Sequence, residues 1–193
     1  PIETQAVVFE KEGYTTNFLY VAVIKGVSSR LDGVLKKRDT YIVARIEDGA
    51  QVGNADASLI IPQGIVVDED GDPVSGPAEI SVTPINVSGD ELSVMPGGML
   101  ARTADGGTGL LESYGAAEVV LSQDGEQLRL TAEAALTFRA QLPQADCGIA
   151  VSPTTWFFDD MLGLWTEVNQ NVLNPQGEDY STPINRGGYW NVD

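Results

Sequence analysis

"AALTFRAQL", residues 134–142, decides how this chain folds. On an extended backbone Ala134, Leu136, Phe138, Ala140 and Leu142 fall on one side, and Ala135, Thr137, Arg139 and Gln141 on the other. That two-residue repeat belongs to a half-buried strand. A helical alternative runs through Leu128, Ala132, Ala135, Leu136 and Arg139, but Pro143 ends the run and the alternation is unbroken up to it. "PAEISVTPI", residues 77–85, repeats the pattern, with Ala78, Ile80 and Val82 predicted inward and Glu79, Ser81 and Thr83 outward.

Working outward, further strand-like runs appear every ten or so residues: "QAVVFE", "NFLYVAVIK", "TYIVARIE", "ASLIIP", "GIVVD", "AAEVVLS" and "EQLRL". Between them lie "KEGY", "EDGAQVGN", "DEDGDPVSGP", "VSGDE", "MPGG", "ADGGTG", "QDGE" and "NPQGED", rich in residues that reverse a chain. Asp and Asn tolerate left-handed backbone angles and Gly adopts them freely, so "DG" pairs join antiparallel strands tightly. No stretch offers a capped amphipathic helix. The expected fold is all-β, an antiparallel β-sandwich.

Composition limits the function. At 193 residues the chain holds one large or two small domains, and folding at this size buries roughly 70% of the extended surface. No apolar run approaches the ~20 residues that span a bilayer. Twenty-eight acidic against eleven basic side chains leave a formal charge of −17. That field repels phosphate backbones and anionic headgroups, so neither nucleic acid nor membrane insertion is expected. A start at Pro1 reads as a processed or excised segment. Cys147 is the only cysteine and histidine is absent, which removes the internal disulfide and the usual partner of a nucleophile.

Three groups of residues are candidate sites. Asp68, Asp70 and Asp72 alternate like the start of a calcium loop, with Glu79 at the twelfth position, but Pro73 falls at the sixth, where the sharp turn needs glycine. The segment reads as a hairpin turn, with a weak calcium site as the alternative and no other cofactor expected. Asp159 and Asp160 are adjacent and point to opposite faces of a strand, a poor geometry for paired-carboxylate hydrolysis. They are expected to open the turn "DDMLG" that joins the strand of Trp156 to that of Trp165. Trp156, Trp165, Tyr189 and Trp190 are expected to pack in the core. The alternative is a glycan-stacking platform, with Asn169, Asn171 and Asn191 as polar neighbours. "ADGGTG" lacks the lysine and helix of a phosphate loop, and the sequon at Asn86 matters only in a eukaryotic secretory setting.

Several motifs in order carry a family resemblance. "VFEKEGYTTNFLYVAVIKGVSSRLDGVLKKRDT" resembles the closing half of a carboxypeptidase-regulatory-like β-sandwich. "ASLIIPQGIVVDEDGDPVSGPAEISVTPIN" resembles the opening of ZU5-like domains. "MPGGMLARTADGGTGLLESYGAAEVVLSQDGEQLRL", then "TTWFFDDMLGLWTEV" and "YWNVD", are similar to bacterial extracellular proteins of this arrangement and to cartilage intermediate layer proteins. The resemblance implies a secreted or bacterial cell-envelope protein without catalysis. In self-cleaving relatives a His-Phe-Ser motif precedes the final aromatic pair; here Arg186, Gly187 and Gly188 stand there, so that cleavage is not expected.

The basic cluster "KKRDT", residues 36–40, interrupts an acidic chain and marks a boundary between residues 1–39 and 40–193. The first piece is too short for a complete sandwich. It is expected either to take strands from elsewhere or to pack on the larger part, and to leave an edge open for strand pairing. The expected function is a structural or adhesion module that assembles with protein partners or its own copies, with a carbohydrate-binding module as the alternative.

Overall fold

The computed structural model describes residues 3–87, 89–139, 153–170, 172–173 and 179–193. Cys147, Asn171 and the end of the 134–142 run lie outside them. Strands and short 3-10 turns are the regular elements of the described residues, and the fold is all-β.

The strands in chain order are β1 (Glu3–Phe9), β2 (Asn17–Val23), β3 (Thr40–Val43), β4 (Ala50–Gly53), β5 (Ala57–Ile61) and β6 (Val66–Val67). They continue with β7 (Ala78–Ile85), β8 (Leu100–Arg102), β9 (Thr108–Leu110), β10 (Gly115–Gln123), β11 (Glu126–Gln127) and β12 (Arg129–Leu130). The last six are β13 (Ala134–Arg139), β14 (Thr154–Asp159), β15 (Leu164–Gln170), β16 (Val172–Leu173), β17 (Asp179–Ile184) and β18 (Gly188–Val192).

A nine-stranded sheet runs β3-β7-β10-β18-β14-β15-β8-β9, with β11 folded back on β10. A five-stranded sheet, β16-β17-β13-β5-β4, lies against one of its faces. The expected alternation holds on the described part of β13, where Ala134, Leu136 and Phe138 are buried and Arg139 is exposed. Those side chains meet Ile80, Val82, Ala117, Val119 and Trp190 from the larger sheet. This is the two-layer packing that alternating sequences build. The β10–β11 turn takes its "DG" form, with Asp124 at φ +53° and Gly125 at φ +88°. Both central residues are left-handed, as a two-residue hairpin needs. One pairing departs from the antiparallel expectation: β15 and β8 run parallel, with Trp165 opposite Ala101.

The outward assignment of Ser81 and Thr83 is corrected. Both are buried, because the second face of the large sheet is covered too. A second core joins Ile85, Ala116, Trp156, Phe158, Trp165 and Tyr189 of that face to Val94, the end of a 3-10 segment, and Met95 after it, with Phe18 and Tyr20 of β2 packed on it. Polar residues survive there by pairing: Ser81 Oγ bonds Thr83 Oγ1 at 3.0 Å, and the Asp39 N–H donates to Thr83 Oγ1 at 3.0 Å. The large sheet is thus a middle layer, with the five-stranded sheet on one side and the N-terminal hairpin on the other.

The hairpin's seat depends on a glycine. Gly163, at φ +68° in the turn between β14 and β15, lets the Tyr20 ring lie on its backbone, and a Cβ there would fall inside that ring. Asp159 shapes the same turn by accepting from the N–H groups of Met161 and Leu162, each at 3.0 Å. Gly163→Ala is expected to cost about 1–3 kcal/mol through backbone strain and displacement of Tyr20. Urea denaturation checks the loss, and faster amide exchange confined to β1 and β2 checks its location.

Candidate functional site

The residues that bring the chain's ends together meet over the outer face of β10. Its sequence "GAAEVVLSQ" is apolar around one acid, Glu118, whose side chain is almost wholly buried. A carboxylate removed from water needs strong partners. Arg38 supplies them: its Nε donates to Oε2 at 2.7 Å and its Nη2 to Oε1 at 2.8 Å. The Thr16 N–H donates to Oε1 at 3.2 Å. The bidentate fork is the strongest form of this contact. The Glu118 hydrogen bond holds the Arg38 pKa above its ordinary value, more than burial lowers it.

Tyr189, opposite Glu118 on β18, donates its hydroxyl to the Thr16 carbonyl. Burial, then the charge of Glu118, pushes its pKa up, so it stays a neutral donor. Asn17, fully buried, donates from Nδ2 to Val34 O at 3.0 Å and Ser93 O at 2.9 Å. Lys36 reaches Glu91 at 2.6 Å. The basic cluster at 36–38 therefore spends two of its charges on acids of the following sequence.

Beside this network opens a cleft of about 350 Å³, lined by Glu10 and Phe18 of the hairpin segment and by Phe157, Asp160 and Arg186 opposite. Arg186 lies over the Phe157 ring, 4.1 Å from its centroid, and Phe157 packs on Trp190. Arg186 also accepts from Trp190 Nε1 through its carbonyl at 3.2 Å. Gly188 faces Phe157 so closely that a Cβ would approach the ring to 2.7 Å. The Arg186–Gly188 segment thus serves as packing. Glu118, the most buried acid of the cleft, has both carboxylate oxygens engaged by Arg38, and one of them by the Thr16 N–H as well.

The other predicted site residues separate. Trp156, Trp165, Tyr189 and Trp190 are all buried. Trp165 Nε1 donates to Pro96 O at 3.0 Å. Trp190 belongs to the core between the sheets, whereas Trp156, Trp165 and Tyr189 belong to the outer one. A stacking platform needs a ring face in water, and these four offer none. Asp68, Asp70 and Asp72 sit in the turn after β6, where Asp68 Oδ1 accepts from the N–H groups of Asp70 at 3.0 Å and Asp72 at 2.8 Å. Its carboxylate closes the turn, and no three metal-ligating side chains converge among the described residues. Arg38, Glu118 and Thr16 were missed as a unit; the available signal was one acid inside an apolar run.

No family model matches the chain, and no curated protein matches it.

Arg38→Met is expected to strand a buried carboxylate and cost about 3 kcal/mol, read by urea denaturation. Arg38→Met with Glu118→Leu should recover most of that loss. Acid supplies a second check. Burial alone would raise the Glu91 pKa, but hydrogen bonds from Lys36 and the Asn86 N–H leave it lowered; the Gly76 N–H lowers Glu47. A depressed pKa adds stability at pH above the unfolded value and loses it as pH falls through the folded one. Stability should therefore fall as the pH drops below the ordinary carboxylate value, and Lys36→Met should flatten that fall.

Proposed function

We propose that the chain is a non-catalytic structural module of the bacterial surface or extracellular space, assembling with other proteins, its own copies among them, by pairing at open sheet edges. The observation that carries this reading is β1. It pairs along seven residues with β2, from Glu3 opposite Val23 to Phe9 opposite Asn17, and with no other strand among the described residues. Its far edge offers backbone donors and acceptors in a row, the standard template for strand addition. Arg38, Asn17 and Tyr189 tie down the base of the hairpin, and the paired strands present that edge preformed.

Further support comes from how the polar groups are used. The buried ionisable groups serve to fasten layers, and the chain contains no histidine. The family resemblance, with its extracellular setting, belongs to this proposal.

A second copy is the most direct partner to test, since two β1 edges can pair about a two-fold axis. A charge of −17 opposes that encounter, and salt shortens its range to about 3 Å at 1 M. Light scattering should therefore show a dimer that strengthens with both protein and salt. Along a strand successive N–H groups alternate sides, so of Ala6→Pro and Val7→Pro one removes an outward donor and the other a bond to β2. The outward one should abolish the dimer and leave the circular dichroism unchanged. A monomer at millimolar protein and high salt would sink self-pairing.

A further inference from the structure

The two stacked sheets differ in size, and the mismatch leaves one end of the larger one uncovered among the described residues. The five-stranded sheet covers β7, β10 and β18 and touches β14 through Phe157, whereas β15, β8 and β9 extend past it. Register fixes what those strands present on the uncovered side. Trp165 and Ala101, paired, point into the outer core. Their predecessors Leu164 and Leu100 therefore point the opposite way, and Leu110, directly opposite Leu100, joins them. Leu164, Leu100 and Leu110 form an apolar row across three strands, ending at an edge.

Leu110 is 76% exposed and Leu100 is 42% exposed. The β14–β15 turn that leads into Leu164 is itself apolar and exposed, with Met161 at 93% and Leu162 at 51%. Single exposed apolar residues are ordinary, but a row of them on one face marks an interaction surface. β9 pairs with β8 alone among the described residues, so its outer backbone is open beside the row.

Charge selects the occupant. Asp105 lies in the β8–β9 turn, Glu112 follows β9, and Asp159 and Asp160 open the turn of Met161. Thr103 Oγ1 and the Gly107 N–H hold the Asp105 pKa below the ordinary carboxylate value. Arg102, two positions after Leu100 and on the same face, is the single cation on β8, β9 and β15, against four acids around the row. A second copy would bring the same acids to the same place.

We infer that the β9 edge and its leucine row form a docking surface for an extended segment of a basic partner protein, with apolar side chains at alternate positions and Lys or Arg between them. The segment pairs with the β9 backbone, sets its apolar side chains beside Leu110 and Leu100, and turns its cations toward the surrounding acids. Strand addition works this way, with main-chain bonds giving affinity and alternate side chains giving specificity. The inference rests on the assembly reading, to which it adds the chemistry of one partner.

The test uses the whole chain and a fluorescein-labelled Lys-Val-Lys-Val-Lys-Val-Lys peptide, read by anisotropy. Leu100→Glu with Leu110→Glu should weaken binding about tenfold, a loss of ~1.4 kcal/mol, although it adds two charges that attract the peptide. Leu110→Thr, which keeps a strand-forming residue, should weaken it in the same direction. A peptide with proline at the central position should bind less well, and a Glu-Val counterpart should not bind. If the double variant binds as tightly as the parent or more tightly, attraction is purely coulombic and the inference is overturned. No binding of the Lys-Val peptide to the parent also overturns it. Leucine-dependent binding together with a persistent monomer rejects self-pairing at β1 and keeps this surface. A β1 dimer without peptide binding does the reverse.

Discussion

A carboxylate in the middle of a strand that is covered on both faces must be met by a cation, or the layers cannot close. Glu118 imposes that condition on the whole molecule. Its position on β10, between β7 and β18, is where the outer layer comes down on the middle sheet. Arg38 satisfies both of its oxygens and, in doing so, fixes where the N-terminal segment lies. Thr16, Asn17 and Tyr189 then bind the same segment by groups that would be unpaired if it left. Hydrophobic contact supplies most of the adhesion through Phe18 and Tyr20, but that contact is tolerant of sliding. The fork between guanidinium and carboxylate is not tolerant, and it sets the register of the layer.

That condition also explains how polar residues came to be inside. Ser81 and Thr83 bond each other and the Asp39 backbone, and Thr155 and Thr182 hydroxyls meet at 2.7 Å on the other side of the sheet. Each such pair is a small unit that burial would penalise if split. The three tryptophans are divided between two cores in the same spirit. Trp190 lies between the sheets and contacts Phe157, while Trp165 lies on the outer side, anchored through its N–H and packed on Phe158.

Much of the fold was legible because period-two hydrophobicity is a local signal. β13 and the inner half of β7 could be read from single side chains, and "QDGE" revealed its hairpin through the backbone freedom of Asp and Gly. What escaped was the outer face of β7, since a polar side chain buried against a polar partner has the same letter as one in water. "TYIVARIE" broke after Val43 into a 3-10 turn at Ile46–Asp48, and "EQLRL" divided into strands of two different sheets, because distant pairing partners decide where a strand stops. The site was legible in halves. Glu118 stood out within an apolar run and Arg38 within a basic cluster, yet eighty positions separate them, and nothing local joins them.

That separation has a cost in time. The β1–β2 hairpin finishes against Tyr189, 173 positions after Thr16, so its seat exists only after the strands between them have been made and paired. Contacts of such long sequence separation slow folding and prolong exposure of unfinished apolar surface. A newborn chain of this kind must wait with β1 and β2 undocked, and whatever keeps it from aggregating meanwhile, charge repulsion or a chaperone, is as much a condition of its architecture as the packing itself.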